Sequence, residues 1–134
     1  METLSVRTPR RECLIDISQE VARRAAVVAC AEGICTVFVP HTTAGVTINE
    51  NADPDVSQDV ITFLNEPVPR KGRFRHAEGN SDAHIKASLM GSSVQVPIHQ
   101  GRLALGTWQG IYLAEFDGPR DRSATITCVG DATG

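Results

Sequence analysis

The chain has 134 residues, 41% of them apolar, and its 13 basic against 16 acidic side chains give a net charge of −3. That length suits one domain with a sizeable core, and the absence of any basic block argues against a nucleic-acid partner. The longest unbroken apolar run, Ala25 to Ala31, is seven residues, far short of the roughly 20 that a membrane span needs. The segment after Met1 is polar and charged, unlike a secretory signal, so the expectation is a single cytoplasmic domain over residues 1–134 with no membrane partner.

In chain order, Leu4 to Arg7 and Cys13 to Ile17 alternate weakly around Thr8-Pro9-Arg10, which predicts a β-hairpin. Ser18 stands where a helix cap belongs. Val21, Ala22, Ala25, Val28 and Ala29 then recur at helical spacing, with Arg23 and Arg24 outside and Gly33 just past the end. Ile34 to Val39 is a β-branched strand stopped by Pro40, and Val46 to Ile48 resumes a strand, which puts His41 in a turn or at a strand end. Asp53 caps a second helix with Pro54 in its first position. Val56, Val60, Ile61 and Leu64 form its inner face, and it runs to about Asn65. Glu66 to Arg75 reads as a surface loop, and its Arg70, Lys71, Arg73 and Arg75 are either a solvated face or groups that meet a phosphate. The cysteines, Cys13, Cys30, Cys35 and Cys128, have no metal or redox spacing and read as reduced, buried thiols.

The stretch from His76 to Lys86 packs two imidazoles, two carboxylates, an amide and an amine into eleven residues. Gly79, Asn80 and Ser81 supply turn and cap chemistry for a short helix from Asp82 to Met90, closed by Gly91, with Ile85 and Leu89 as its expected buried stripe. His84 then lies in the first turn, where unpaired backbone N–H groups favour anions such as phosphate. Imidazole with carboxylate is the ligand set of zinc and its divalent neighbours. The plainer alternative is a solvated turn followed by an exposed Asp82–Lys86 pair, since neither HExxH nor CxxC spacing is present.

The last third is β-rich: Ser93 to Ile98, Leu103 to Leu105, Trp108 to Phe116 and Ala124 to Val129 are strand-like, with Gly101, Gly106 and Gly118-Pro119 between them. Trp108 is expected in the core and Glu115 at an outward strand position. About three helices among about eight strands predict an α+β domain, a mainly antiparallel curved sheet or sandwich with the helices to one side.

Four blocks in order, His41-Thr-Thr-Ala-Gly-Val-Thr-Ile-Asn-Glu-Asn51, His76 through Gly91, Leu105-Gly-Thr-Trp-Gln109 and Glu115-Phe-Asp-Gly-Pro-Arg120, make the chain resemble the YjbQ family. The resemblance implies a small α+β fold, a homotrimer, a divalent metal ion (zinc or magnesium) near grouped histidines, and a thiamine phosphate synthase activity of secondary character. It also implies metal ligation by His41, His76 and His84, the histidines inside these blocks, whereas His99 falls outside them.

That reaction joins an aminopyrimidine methyl diphosphate to a thiazole phosphate and releases pyrophosphate, so it needs charge neutralisation and a polar pocket for the ring. Glu78, Asp82 and His84 are the candidate catalytic groups. Lys86 and Arg120 are candidates for phosphate, and Asn49, Glu50, Asn51, Asn80 and Gln109 for the substrate's remaining polar groups. Turn-forming roles for Asn49 and Asn51 and an exposed strand position for Gln109 are the structural alternatives. A metal-dependent hydrolase of a phosphorylated metabolite, or a non-catalytic trimer that binds a small phosphorylated molecule, are the other functional readings.

Overall fold

The structure, a computed structural model, describes residues 1–132. Eleven elements follow in order: β1 (Glu2–Arg7), β2 (Cys13–Asp16), α1 (Ser18–Val28), β3 (Cys30–Phe38), β4 (Ala44–Glu50), α2 (Pro54–Leu64), α3 (Ser81–Met90), β5 (Ser93–His99), β6 (Arg102–Leu103), β7 (Gln109–Glu115) and β8 (Asp121–Ala132). They form two antiparallel sheets, one of five strands in the order β1-β8-β3-β5-β6 and one of three in the order β2-β7-β4. This is the expected α+β domain with three helices.

Side-chain alternation along the strands builds the layers. Ile111 and Leu113 of β7 join Cys35, Val37, Val96, Ala124 and Ile126 of the larger sheet in the main core, with Val21 and Ala25 of α1 packed in. Ala114, on the other face of β7, and Phe116, just past its end, join Ile61 of α2 with Ala83 and Ala87 of α3 in a second cluster. So β7 is buried on both faces. The outer face of the five-stranded sheet has no such cover, and Ile34, Phe38 and Val129 stand exposed there.

The predicted hairpin does not form. β1 pairs with β8 and β2 with β7, in different sheets. The connection crosses between the sheets because Thr8 is tied to the other end of the chain: its N–H donates to the Arg120 carbonyl (2.9 Å), and it is fully buried. Helix α1 also stops earlier than its periodicity suggests. Ala29 takes the left-handed conformation (φ 56°, ψ 47°), and the chain turns directly into β3. Gly33, expected as a helix terminator, lies within β3 opposite Gly130, where a Cβ on either would run into the neighbouring backbone.

The expected α2 is present, with Asp53 accepting from the Asp55 N–H at 2.9 Å and proline opening the first turn. The bounds of α3 match expectation, but its buried face does not. Ile85 and Leu89 are exposed, Leu89 by 65%, while Asp82, Ala83, Lys86 and Ala87 face inward. The small alanines let the helix approach β4 and β7 closely, and the two charged groups neutralise each other and their neighbours. No helix is long and apolar enough to cross a membrane among the described residues.

Candidate functional site

The β3–β4 connection, the start of α3 and the segment joining β7 to β8 meet along one groove. Two adjoining cavities of about 400 and 340 Å³ share His41, Thr42 and His84 in their walls, and Glu78, Asn80, Arg120 and Arg122 border the smaller one. A larger cavity of about 610 Å³ lies between α1 and the β5–β6 end, but its walls are mostly alanine, isoleucine and leucine and carry no histidine or carboxylate. A further cavity, of about 410 Å³, is polar and has Arg10, Glu12, Asp16 and Asn51 in its walls but no histidine, so the grouped histidines single out the groove.

A buried ion pair forms its floor. Arg122 donates from Nε to one oxygen of Glu115 (2.8 Å) and from Nη2 to the other (2.5 Å), and also from Nη2 to the Thr43 hydroxyl (2.8 Å). Glu115 accepts further bonds from the Thr8 hydroxyl and from the backbone N–H groups of Phe116 and Asp117. Burial works against the charged form of Glu115. The guanidinium, the Asp117 N–H and the Thr8 hydroxyl outweigh it, and the carboxyl is held below its ordinary range. Glu115 is thus fully buried, not the outward residue that strand position suggests. A glutamate inside the apolar run of β7 was the available signal for a buried partner; nothing in the sequence identified Arg122 as that partner.

His41 hangs above this floor. Its Nε2 accepts the backbone N–H of Ser123 on β8 at 3.0 Å. Burial, and then the nearby Arg122 cation, push its pKa below the ordinary histidine value. His76 and His84 lie together with ring centroids 5.3 Å apart and planes at 84°. The rings thus meet edge to face, at a centroid spacing close to the ~5 Å of two imidazoles that share one tetrahedral ion. The Glu78 carboxylate is 3.6 Å from His76 Nε2 and exposed. Among the described residues, no three His, Cys, Asp or Glu side chains form a group able to hold a metal ion.

The other expected site residues divide sharply. Arg120 borders the groove, its Nε and Nη2 held by the carbonyl (2.8 Å) and carboxylate (3.0 Å) of Asp117. Asn80 forms part of the wall; its amide nitrogen donates to Asp117 (2.8 Å), while its Oδ1 is buried without a partner among the described residues. Burial raises the Asp117 carboxyl, but Asn80, Arg120 and Arg11 together bring it below its ordinary value.

Lys86 and Asp82 belong to a buried network behind the groove, joined to its wall through Arg11, whose Nη2 lies 3.9 Å from Asp117. The Lys86 ammonium is fully buried and donates to Glu12 (2.7 Å), Asn65 (2.6 Å) and Asp82 (3.5 Å). Arg11 bridges both Asp82 oxygens at 3.1 Å, and this outweighs burial to keep the Asp82 carboxyl low. With its donors taken, Lys86 presents none to a phosphate in the groove, and Asp82, fully buried, does not reach the groove's walls. Sequence spacing suggested an exposed i, i+4 pair; the partners supplied by residues 11, 12 and 65 are what make burial affordable.

Asn49, Glu50, Asn51 and Gln109 lie at the far end of β4, about 20 Å along the strand from its start at Ala44. Asn49 accepts from the Glu50 N–H (2.7 Å), the Asn51 N–H donates to the Trp108 carbonyl (2.9 Å), and Gln109 accepts from the Gly106 N–H (2.8 Å). These are turn-building roles, and the fold does not bring the four to the groove. Trp108, expected in the core, is 63% exposed. His99 pairs with Glu32 at the end of β5, away from the other histidines.

Fold and groove define a two-sheet α+β domain with a histidine-lined cleft at one end of its smaller sheet. The chain belongs to the YjbQ family: the family described as UPF0047 protein YjbQ-like matches residues 2–131. UPF0047 protein MJ1081 of Methanocaldococcus jannaschii is 50% identical over 126 residues, covering 94% of this chain and 91% of its own. UPF0047 protein YugU of Bacillus subtilis is 47% identical, covering 97% and 99%. A crystal structure of a YjbQ/UPF0047 family protein from Clostridium acetobutylicum superposes with a TM-score of 0.95 at 50% identity, covering 96% of this chain and all of that one. A protein of the same fold from Sulfolobus solfataricus gives 0.93 at 32% identity, covering 97% and 96%.

Proposed function

We propose that the chain is a metal-dependent enzyme acting on small phosphorylated molecules, joining an aminopyrimidine methyl diphosphate to a thiazole phosphate to make thiamine phosphate. The observation that carries this reading is the perpendicular His76–His84 pair beside a groove bordered by Arg120 and Arg122. His76 and His84 would hold a divalent ion, and imidazole donors favour zinc over magnesium. When bound, such an ion supplies charge neutralisation for a pyrophosphate leaving group. Arg120 adds a fixed cation at the rim, and the buried Glu115–Arg122 pair keeps the groove's floor from moving while charge develops above it.

Hydrolysis of a phosphorylated metabolite is the second reading, favoured by the exposed Glu78 carboxylate next to His76, where it can take a proton from water. Self-association is supported by the apolar outer face of the five-stranded sheet, where Ile34, Phe38 and Val129 stand exposed, and the number three rests on the family resemblance. A cytoplasmic location suits the four unbridged thiols. The experiment that tests the main reading is pyrophosphate release with each precursor alone and with both, alongside metal content. Release requiring both supports the synthase; release from the diphosphate alone supports the hydrolase; no release with metal-loaded protein removes both.

A further inference from the structure

We infer that His41 serves the groove as a neutral N–H donor to a phosphoryl oxygen, through Nδ1, and is not a third ligand of the metal pair. The inference rests on the reading that the groove takes a phosphorylated ligand, and it assigns His41 a role different from the one implied by family resemblance.

A neutral imidazole has one N–H and one lone pair. The Ser123 N–H donates to Nε2 at 3.0 Å, so the lone pair is on Nε2 and the proton on Nδ1. A metal needs a free lone pair. Ligation through Nε2 would break the Ser123 bond. Ligation through Nδ1 would move the proton to Nε2, where it would point at another N–H and leave a backbone donor of β8 unpaired. Both routes cost the sheet a hydrogen bond at its junction with the site. In the groove that His41 shares with Glu78, Asp117 and Arg120, Asp117 holds Nε and Nη2 of the Arg120 guanidinium, which leaves Nη1 and the His41 N–H as the donors for an oxygen acceptor.

Long-range ¹H–¹⁵N spectra of the ¹⁵N-labelled protein test the tautomer directly. The expected result is an Nδ1–H pattern for His41 that persists when one equivalent of zinc shifts the His76 and His84 signals. Calorimetric titration with inorganic pyrophosphate tests the donor. His41→Asn places an amide N–H near the Nδ1 position and keeps affinity within about threefold. His41→Gln places it near Nε2 and loses about tenfold, the scale of one hydrogen bond to a charged acceptor. An Nε2–H tautomer, movement of His41 onto zinc, failure of the wild-type protein to bind pyrophosphate, or equal affinity in His41→Gln would each overturn the inference. Failure of the synthase reading looks different: no turnover of the two precursors, with the tautomer and pyrophosphate binding intact. The wild-type spectra decide the tautomer even where a variant fails to fold.

Discussion

Arg122 and Glu115 lie seven residues apart, at the start of β8 and the end of β7, and make a two-pronged ion pair with both side chains almost wholly out of water. The pair clamps together strands that belong to different sheets, beneath the groove. Removing one member leaves the other charge buried alone, which typically costs about 3–5 kcal/mol. Arg122→Ala is therefore expected to lower the unfolding free energy by that amount in urea titrations. A change below about 1 kcal/mol would mean that water reaches the stranded carboxylate.

The Lys86 network makes a parallel prediction with a different readout. Lys86→Ala should destabilise the fold by a similar ~3–5 kcal/mol, since Glu12 and Asp82 lose their shared cation. Pyrophosphate affinity measured well below the variant's melting temperature should stay close to wild type. A selective loss of affinity in a fully folded variant would return Lys86 to the ligand.

Acid sensitivity follows from carboxyls held low in the folded state, chiefly the inward-facing Asp82, Glu115 and Asp117, and in addition the exposed Glu32, held low by His99. A folded-state pKa below the unfolded one contributes stability that is fully present above the ordinary carboxylate range, around pH 4, and is lost as pH falls through the folded values. Unfolding free energy should therefore decline gently as pH drops below the ordinary histidine value near 6.5, because His41 takes its proton more readily in the unfolded chain, and then fall steeply through the carboxylate range. Asp82→Asn should be less stable at neutral pH and show a shallower acid limb; an unchanged limb would mean that Asp82 contributes none of it.

For activity, His84→Ala should abolish pyrophosphate release from the two thiamine precursors while circular dichroism stays native, and His99→Ala should change little. The loss expected on removing a metal ligand is several kcal/mol, with each ~1.4 kcal/mol a factor of ten. Normal turnover in folded His84→Ala protein would contradict the role assigned to the histidine pair.

Assembly can be tested on the uncovered sheet face. Light scattering should give three times the chain mass for the wild-type protein and a smaller species for Phe38→Glu, because a carboxylate placed in an apolar contact resists desolvation. A monomer mass for the wild type at micromolar concentration would remove the trimer.

Which strands and helices exist was readable because alternation and breakers are local, although of the expected caps only Asp53 makes its bond, with Ile17 in place of Ser18 before α1 and no capping bond from Asn80; which strands pair was not. Thr8-Pro9-Arg10 looks like a hairpin turn, and only the Thr8 bonds to Arg120 and Glu115, more than a hundred residues away, explain why the chain crosses between sheets instead. The same limit governs the site. His76 and His84 share one local stretch and could be read together. Lys86 looked available because its partners, Glu12 and Asn65, come from other elements. Glu50 and Gln109 lie within recognisable blocks, but they pair with each other across β4 and β7 at the end remote from His41.

The position of β8 in the larger sheet, between β1 and β3, sets an order of events during synthesis. β1 leaves the ribosome well before its partner β8, so β1 and one edge of β3 must wait with open backbone groups until β8 emerges. Contacts this distant in sequence make for slow, late closure. Because Arg122 and Ser123 arrive on β8, after His41, His76, His84 and His99, a nascent chain can carry these four histidines and still have no groove; the cleft is completed only when β8 joins the sheet.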